Sequence, residues 1–581
     1  MRRFLLLACW TVCILPALAS PRSLKDAKLV AADFLQQVDA YAGTTAEFTQ
    51  VSPEEQSKIK GLSQAAPEYY ILNAEDGKGY VVVSGDDRFR DVLGYSCTGT
   101  FDADNVPEGL AALLYTLGRE MKAAKDYYDA NGIVSVEKKD RALAASNPTT
   151  LPLLKTHWQQ GYPFNKNVPV SYSGSYSAYH GKASVGCVAL AMAQVMKYWK
   201  YPQNGQGGSY TNMNYTSATV NFSNQTYNWS NIIDDYGLYV DDNGEVRDKS
   251  YTTAQANEVA KLCYHLGVSV NMEWNEDGEG SSATIEDYIV GALATYFGYN
   301  PYASLQVRDV LGEERFAQIM IDDLAAGRPI IFSAVSAEGG GHCFVIDGYD
   351  ASADMFHCNW GWQGQENDYY ALSAMEPDSD FGNFQYNQTA VIGLQPESEN
   401  FGYEPSIYAE DITLSETTVS KGSKAKMNVK NLYYSDAMFK GEVGITISKP
   451  DGSLVASEFH DADYELGYMY TFDIYSHTIP KSMSAGEYVM RISLRNSAGT
   501  LYPLHSYYGK VESWKVVVSS GSPSGTVSFY PLDPIATAVE GIIAAESTEE
   551  DSGEWYSITG VRLAAPQKGI NIRNGKKYIL R

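Results

Sequence analysis

The run Ala183-Ser184-Val185-Gly186-Cys187-Val188-Ala189-Leu190-Ala191-Met192-Ala193-Gln194-Val195-Met196-Lys197-Tyr198-Trp199 decides how the middle of this chain folds. Its small-residue opening lets backbone pass close to a neighbour. Strong helix formers follow, with no Gly or Pro before Pro202. The pattern predicts a largely buried helix that begins at or near Cys187. Unpaired N–H groups and the positive end of the helix dipole favour a thiolate at such a position. A cysteine that only packs has no need of it, yet free cysteines are often buried for packing alone. Its partners elsewhere in the chain separate the two readings.

Those partners are sought in 581 residues, more than one core accommodates, so three or four domains are expected. A formal net charge of −26 argues against nucleic acid and against an anionic membrane surface as partners. At the N-terminus Arg2-Arg3 precedes an apolar run from Phe4 to Leu18, and Ala17-Leu18-Ala19 has the form of a cleavage site. Residues 1–19 therefore read as a secretory signal peptide, too short to span a membrane. No later stretch reaches transmembrane length. Cys9 and Cys13 leave with that segment. Cys97, Cys187, Cys263, Cys343 and Cys358 remain, an odd and sparse set that makes no disulfide framework and leaves at least one thiol to explain.

Residues 20–140 read as a first α+β unit: a helix over 27–41, a hairpin of 69–73 and 79–84 across Glu75-Asp76-Gly77, and a helix over 110–128. It offers no chemistry of its own. A polar, basic linker begins near Val134, and its end, 141–150, is the expected maturation region. Residues 151–396 form the second unit, with helices expected from Cys187, over 254–266 and over 283–296, then strands over 329–333, 342–347 and 355–360. From 400 to 518 short alternating strands read as an immunoglobulin-like β-sandwich. Residues 519–553 are linker, and 554–581 a compact strand–turn–strand tail.

A nucleophilic thiol needs a base, and His342 follows Gly339-Gly340-Gly341, where a peptide backbone can come close. The base needs an orienting group. Asn359 lies on the next strand, opposite His342 if the hairpin is centred on Asp350-Ala351, and Trp360 or Trp362 would shield the pair. Alone, each has a plainer reading: a turn histidine, a core asparagine and tryptophan. His342-Cys343 and His357-Cys358 also look like two metal-ligand pairs, but strand neighbours point to opposite faces, which leaves too few ligands on either. No metal and no cofactor are expected. Cys343 and Cys358 read as core thiols, with a disulfide as the alternative. Acyl transfer also needs an oxyanion donor. Gln160 supplies a side-chain N–H and the Cys187 backbone a second. The chain order is then Gln, Cys, His, Asn.

Gln160-Gly161-x-Pro163-x-Asn165, Gly186-Cys187-Val188-Ala189 with Gln194-x-Met196-Lys197-Tyr198, Gly341-His342-x-Phe344-Val345-Ile346-Asp347-Gly348 and Asn359-Trp360-Gly361-Trp362-x-Gly364 resemble the streptopain family of secreted cysteine peptidases, interpain-like enzymes included. The resemblance covers roughly residues 60–396, because Gly79-Tyr80-Val81-Val82-Val83-Ser84-Gly85-Asp86 and Leu93-Gly94-Tyr95-Ser96 resemble the streptopain propeptide. It implies a papain-like α+β fold, a Cys187 nucleophile, a His342 base, Gln160 in the oxyanion hole and Asn359 or Trp360 in support of His342. It also implies substrate backbone contacts at Gly341 and Gly278, a preference for an apolar residue two positions before the cut, and an inhibitory prodomain that is removed. Cys343 and Cys358 depart from the small aliphatic residues of the family pattern, and everything beyond 396 lies outside it. The tail, Tyr556-x-Ile558-x-Gly560-x-Arg562 through Gly569-Ile570-x-Ile572-x-Asn574-Gly575-Lys576-Lys577, resembles the C-terminal sorting domain of the type IX secretion system, which implies export through the periplasm to the cell surface or medium by secretion machinery.

The reading is a secreted cysteine endopeptidase made as a zymogen, acting on protein or peptide substrates and held by its own prodomain. Two alternatives use the same residues: a Cys–His acyltransferase or transglutaminase, and a non-catalytic binding or adhesion protein.

Overall fold

The computed structural model describes residues 21–38, 47–59, 68–136, 147–171, 180–240, 246–248, 251–275, 282–284, 286, 288–335, 341–374, 387–397, 407–434, 441–462, 469–507, 510–520 and 525–532, with 555–557, 562–563, 569–573 and 576–580 in the tail. The expected signal peptide, Gly278, most of the maturation region and residues 521–524 and 533–553 of the expected linker lie outside these residues; within that expected linker Thr526–Pro531 is instead a strand of the sheet formed after residue 400.

In the first unit, α1 (Leu24–Leu35) starts three residues before the expected helix, because the Ser23 side chain accepts from the Asp26 N–H and caps it. Strands β1 (Phe48–Gln50), β2 (Tyr69–Ala74), β3 (Tyr80–Ser84) and β4 (Val92–Ser96) pair antiparallel in sequence order. The long helix α2 (Glu108–Asn131) begins behind Pro107 and stops at Gly132, whose φ of 67° is a conformation that favours glycine.

In the second unit α3 (Cys187–Trp199) begins at Cys187 as the sequence predicts. Ten of its thirteen residues are buried, so the helix is core all round and its first residue is fixed in place. Then come α4 (Thr253–Ser269), capped by a reciprocal Thr252–Gln255 pair, and α5 (Tyr288–Phe297). The third expected helix starts five residues late: the N–H and C=O of Ala283 are taken by an antiparallel bridge to Glu273. Strand β5 (Ser304–Val307) and α6 (Glu313–Ala325) precede β6 (Ile330–Val335), β7 (Gly341–Asp350), β8 (Met355–Asn359), β9 (Asp368–Tyr370) and β10 (Thr389–Ile392).

These strands make one ten-stranded sheet across both units, in the order β1-β2-β3-β4-β9-β8-β7-β6-β10-β5. The join is β4 to β9, with Tyr95 opposite Tyr369 and Gly94 opposite Tyr370. A Cβ at Gly94 would lie 2.5 Å from the Tyr370 ring, so the join needs that glycine. One face of the sheet (Ile331, Cys343, Val345, Val391) packs on α3, α4 and α5. The other (Ile330, Phe332, Phe344, Ile346) packs on α2 and α6. A first-unit helix thus covers a second-unit strand.

Beyond residue 400 two sheets bury a common core that includes Met427, Ile445, Met490, Trp514 and Val516. The 418–420, 526–531, 513–518, 486–496, 441–448 and 454–462 strands form one, and the 469–478, 424–434, 407–414 and 505–506 strands the other. The tail strands form a separate four-stranded sheet in the order Arg562–Leu563, Trp555–Ser557, Gly569–Arg573, Lys576–Leu580.

Candidate active site

The approach to Cys187 is glycine by necessity. Gly186 has φ 92°, and a Cβ there would meet Met272 Sδ and Cε at 2.5 Å. Cys187 then opens α3, half-buried. Burial pushes its thiol up to about 12, and the carboxylates of Glu108 and Glu286 add to the rise, while the backbone N–H groups of Cys343 and Val188 oppose it. The Cys187 thiol is thus held protonated at neutral pH.

His342 stands on β7 next to Cys343, and strand alternation separates them. Cys343 faces α3 with Cys187, whereas the even-numbered residues face α2. His342 Nδ1 lies 3.5 Å from Glu108 Oε2 at the start of α2. A Cβ on Gly109 would lie 2.8 Å from His342 Cδ2, 2.7 Å from Trp360 Cε3 and 3.2 Å from Phe344 Cδ1. The first turn of α2 is therefore pressed against the imidazole and Trp360. His342 is 5% exposed and its Nε2 is buried with no hydrogen-bond partner among the described residues.

Asn359 is not opposite His342. It pairs with Val345, and His342 with Ala334. The hairpin turns through Ala351–Asp354, beyond the expected centre, which alone would set Asn359 opposite Ile346; a bulge between Ile346 and Gly348 takes back one residue and leaves it at Val345. The Asn359 side chain donates to the Thr156 carbonyl at 2.8 Å and accepts from the Gly361 N–H at 3.2 Å. Trp360, 2% exposed, lies tilted by 51° against Phe344 with ring centroids 4.5 Å apart, and its indole N–H donates to the Glu366 carbonyl. Gln160 is 7% exposed; its backbone carbonyl accepts from Val185 N–H, two residues before Cys187, and its side-chain oxygen is buried without a partner among the described residues.

Cys343 and Cys358 are buried free thiols on opposite faces of the sheet. His357 is engaged by Asp347, Nδ1 to Oδ1 at 2.6 Å, and Asp347 Oδ2 accepts from Leu154 N–H at 2.8 Å. No cluster of metal-ligand type occurs among the described residues.

Sequence reasoning missed the first-unit contribution. Glu108, behind a proline at a helix start, reads locally as a complement to the helix dipole. Glu120, further along α2, is fully buried between the units; its carboxylate accepts from Ser373 Oγ at 2.7 Å and Ala374 N–H at 2.8 Å. Burial raises its pKa to about 7, with Arg308 opposing and Glu313 adding to the rise.

Residues 158–370 match the Peptidase C10 family and residues 19–121 the Spi protease inhibitor family. The chain is 29% identical to streptopain of Streptococcus pyogenes over 64% of its own length and 92% of that protein. It is 28% identical to the thiol protease/hemagglutinin PrtT of Porphyromonas gingivalis over 57% of its length, and that match spans 37% of the relative. Among solved structures it is similar to active interpain A of Prevotella intermedia (31% identity, 44% of this chain, 99% of that one, TM-score 0.35) and to a prointerpain A fragment (29% identity, 60% and 98%, TM-score 0.47).

Proposed function

We propose that this chain, whose residues 158–370 match the Peptidase C10 family and residues 19–121 the Spi protease inhibitor family, is a cysteine endopeptidase held latent by residues 20–140 and working through Cys187 and His342. The observation that carries this reading is the first turn of α2 on the imidazole, with Glu108 Oε2 3.5 Å from Nδ1, beside a cysteine that opens a buried helix. In this state the thiol is met by the Cys343 N–H and the imidazole by the inhibitor-type unit. Cleavage in the 134–150 linker frees α2, and the His342 ring turns to Cys187.

His342 then takes the thiol proton, and the sulfur attacks the scissile carbonyl. The Gln160 side-chain amide and the Cys187 N–H receive the oxyanion. His342 returns the proton to the leaving amine, and water, deprotonated by the same ring, releases the acyl group. Trp360 shields the ring. Asn359 ties the strand after β7 to Thr156 and Gly361 and so supports His342 from behind. Gly341, and Gly278 outside the described residues, leave room for the substrate backbone. The catalytic unit is papain-like, and the two-sheet unit after residue 400 is immunoglobulin-like. Residues 1–19 direct export, and the tail hands the chain to a type IX sorting machinery; no described helix is long and apolar enough to cross a membrane.

Casein zymography of wild type beside Cys187→Ala and His342→Ala tests the reading. Each variant, folded by circular dichroism, is expected to lose several orders of magnitude of turnover. Near-wild-type clearing by either would sink it.

A further inference from the structure

Glu286 is a carboxylate at the cleft that none of these roles uses. It lies just before α5 and is half-buried. Its Oε1 is 3.7 Å from the place a Cβ on Gly341 would take, and Gly341 itself is exposed. Its field reaches the sulfurs of both Cys187 and Cys343 and raises both thiols. Glu286 thus lines the cleft between the nucleophile and the strand that carries the imidazole, on the side Gly341 leaves open. A negative charge there disfavours the thiolate, so it does not serve the sulfur chemistry. A substrate cation would neutralise it, with a charge-assisted hydrogen bond to the carboxylate.

A separate observation points to the same cation. The linker from Val134 to Thr150, where the reading above places the cut, contains Lys138-Lys139-Asp140-Arg141, in a chain with 70 acidic and 44 basic residues. A basic run is the exception in such a chain, and it stands where the first substrate is.

We propose that Glu286 makes this peptidase select a Lys or Arg side chain beside the scissile bond, and that Lys138–Arg141 is the first sequence so selected. The inference rests on the peptidase reading above. It is tested with matured enzyme on a mixed peptide library, with cut sites read by mass spectrometry, then on matched fluorogenic peptides carrying Lys or norleucine at the enriched position. Lys over norleucine is expected to gain about ten-fold in kcat/KM, the lower end for a hydrogen bond to a charged group. That ratio falls towards unity in Glu286→Gln and as NaCl is raised, and Glu286→Lys shifts the preference to acidic side chains. Full-length chain with Lys138, Lys139 and Arg141 all changed to Ala shortens more slowly than wild type. A library cut with no basic enrichment, or a ratio unchanged in Glu286→Gln, overturns the inference and leaves the peptidase reading standing. A library left intact by enzyme whose Cys187 alkylates stoichiometrically removes both.

Discussion

Cys187 opens α3 and His342 stands on β7, and they are engaged by different groups, the thiol by the Cys343 N–H and the ring by Glu108. With its thiol pushed up to about 12 by burial and by nearby carboxylates, Cys187 should react slowly in the intact precursor. Thiolate is the reacting form, so iodoacetamide labelling at pH 8 is expected to be at least about 100-fold slower before cleavage than after; equal rates would show that the thiol is not masked. In the matured form Gln160→Ala should lower kcat by roughly 100- to 1,000-fold with little change in KM, and a pure KM effect would make Gln160 a substrate contact instead. Cys187 was legible in the sequence because Gly186 and the helix formers after it are local signals. The His342–Asn359 relation was not: the turn runs through Ala351–Asp354 instead of centring on Asp350-Ala351, and the bulge at Asp347 gives back only one residue of that shift.

The decisive element is the first turn of α2. Helix α2 itself is legible from its periodicity, its proline start and its glycine stop. Its target is not, because a helix face encodes that it will be covered and not by what. Gly109 is where the two meet: any side chain there runs into Trp360, His342 and Phe344 within 3.2 Å. Rings in a packed site give little way, and overpacking costs about 1–3 kcal/mol. Gly109→Leu should therefore unseat α2 and raise the labelling rate of Cys187 in uncut chain by roughly 5- to 100-fold. An unchanged rate would mean that α2 does not guard the site.

Across the whole molecule the two units are joined by a shared sheet and by Glu120, buried against Ser373, Ala374, Arg308 and Glu313. Its pKa of about 7 in the joined state is above the usual carboxyl value. A group raised on joining favours the joined state while it stays protonated; that contribution is whole below about 4.5 and is lost as pH rises from there through about 7. Opening of the uncut chain, read as Cys187 labelling relative to Glu120→Gln, should grow by up to about ten-fold per pH unit as pH rises from about 4.5 to about 7 and level off above that; a flat ratio across that window would dissociate Glu120 from latency. The shared sheet was the least legible feature, since pairing between segments some 270 residues apart leaves no local trace (Tyr95 opposite Tyr369). That join has a consequence after cleavage. Once residues 20–140 depart, β9 loses its neighbour and becomes a raw border of the sheet, with backbone groups turned to water. Such borders recruit stray chains. This one is three residues long and opens on Asp368, a poor template for another strand, so the enzyme can shed four of the ten strands of its sheet without baring a border that invites another chain.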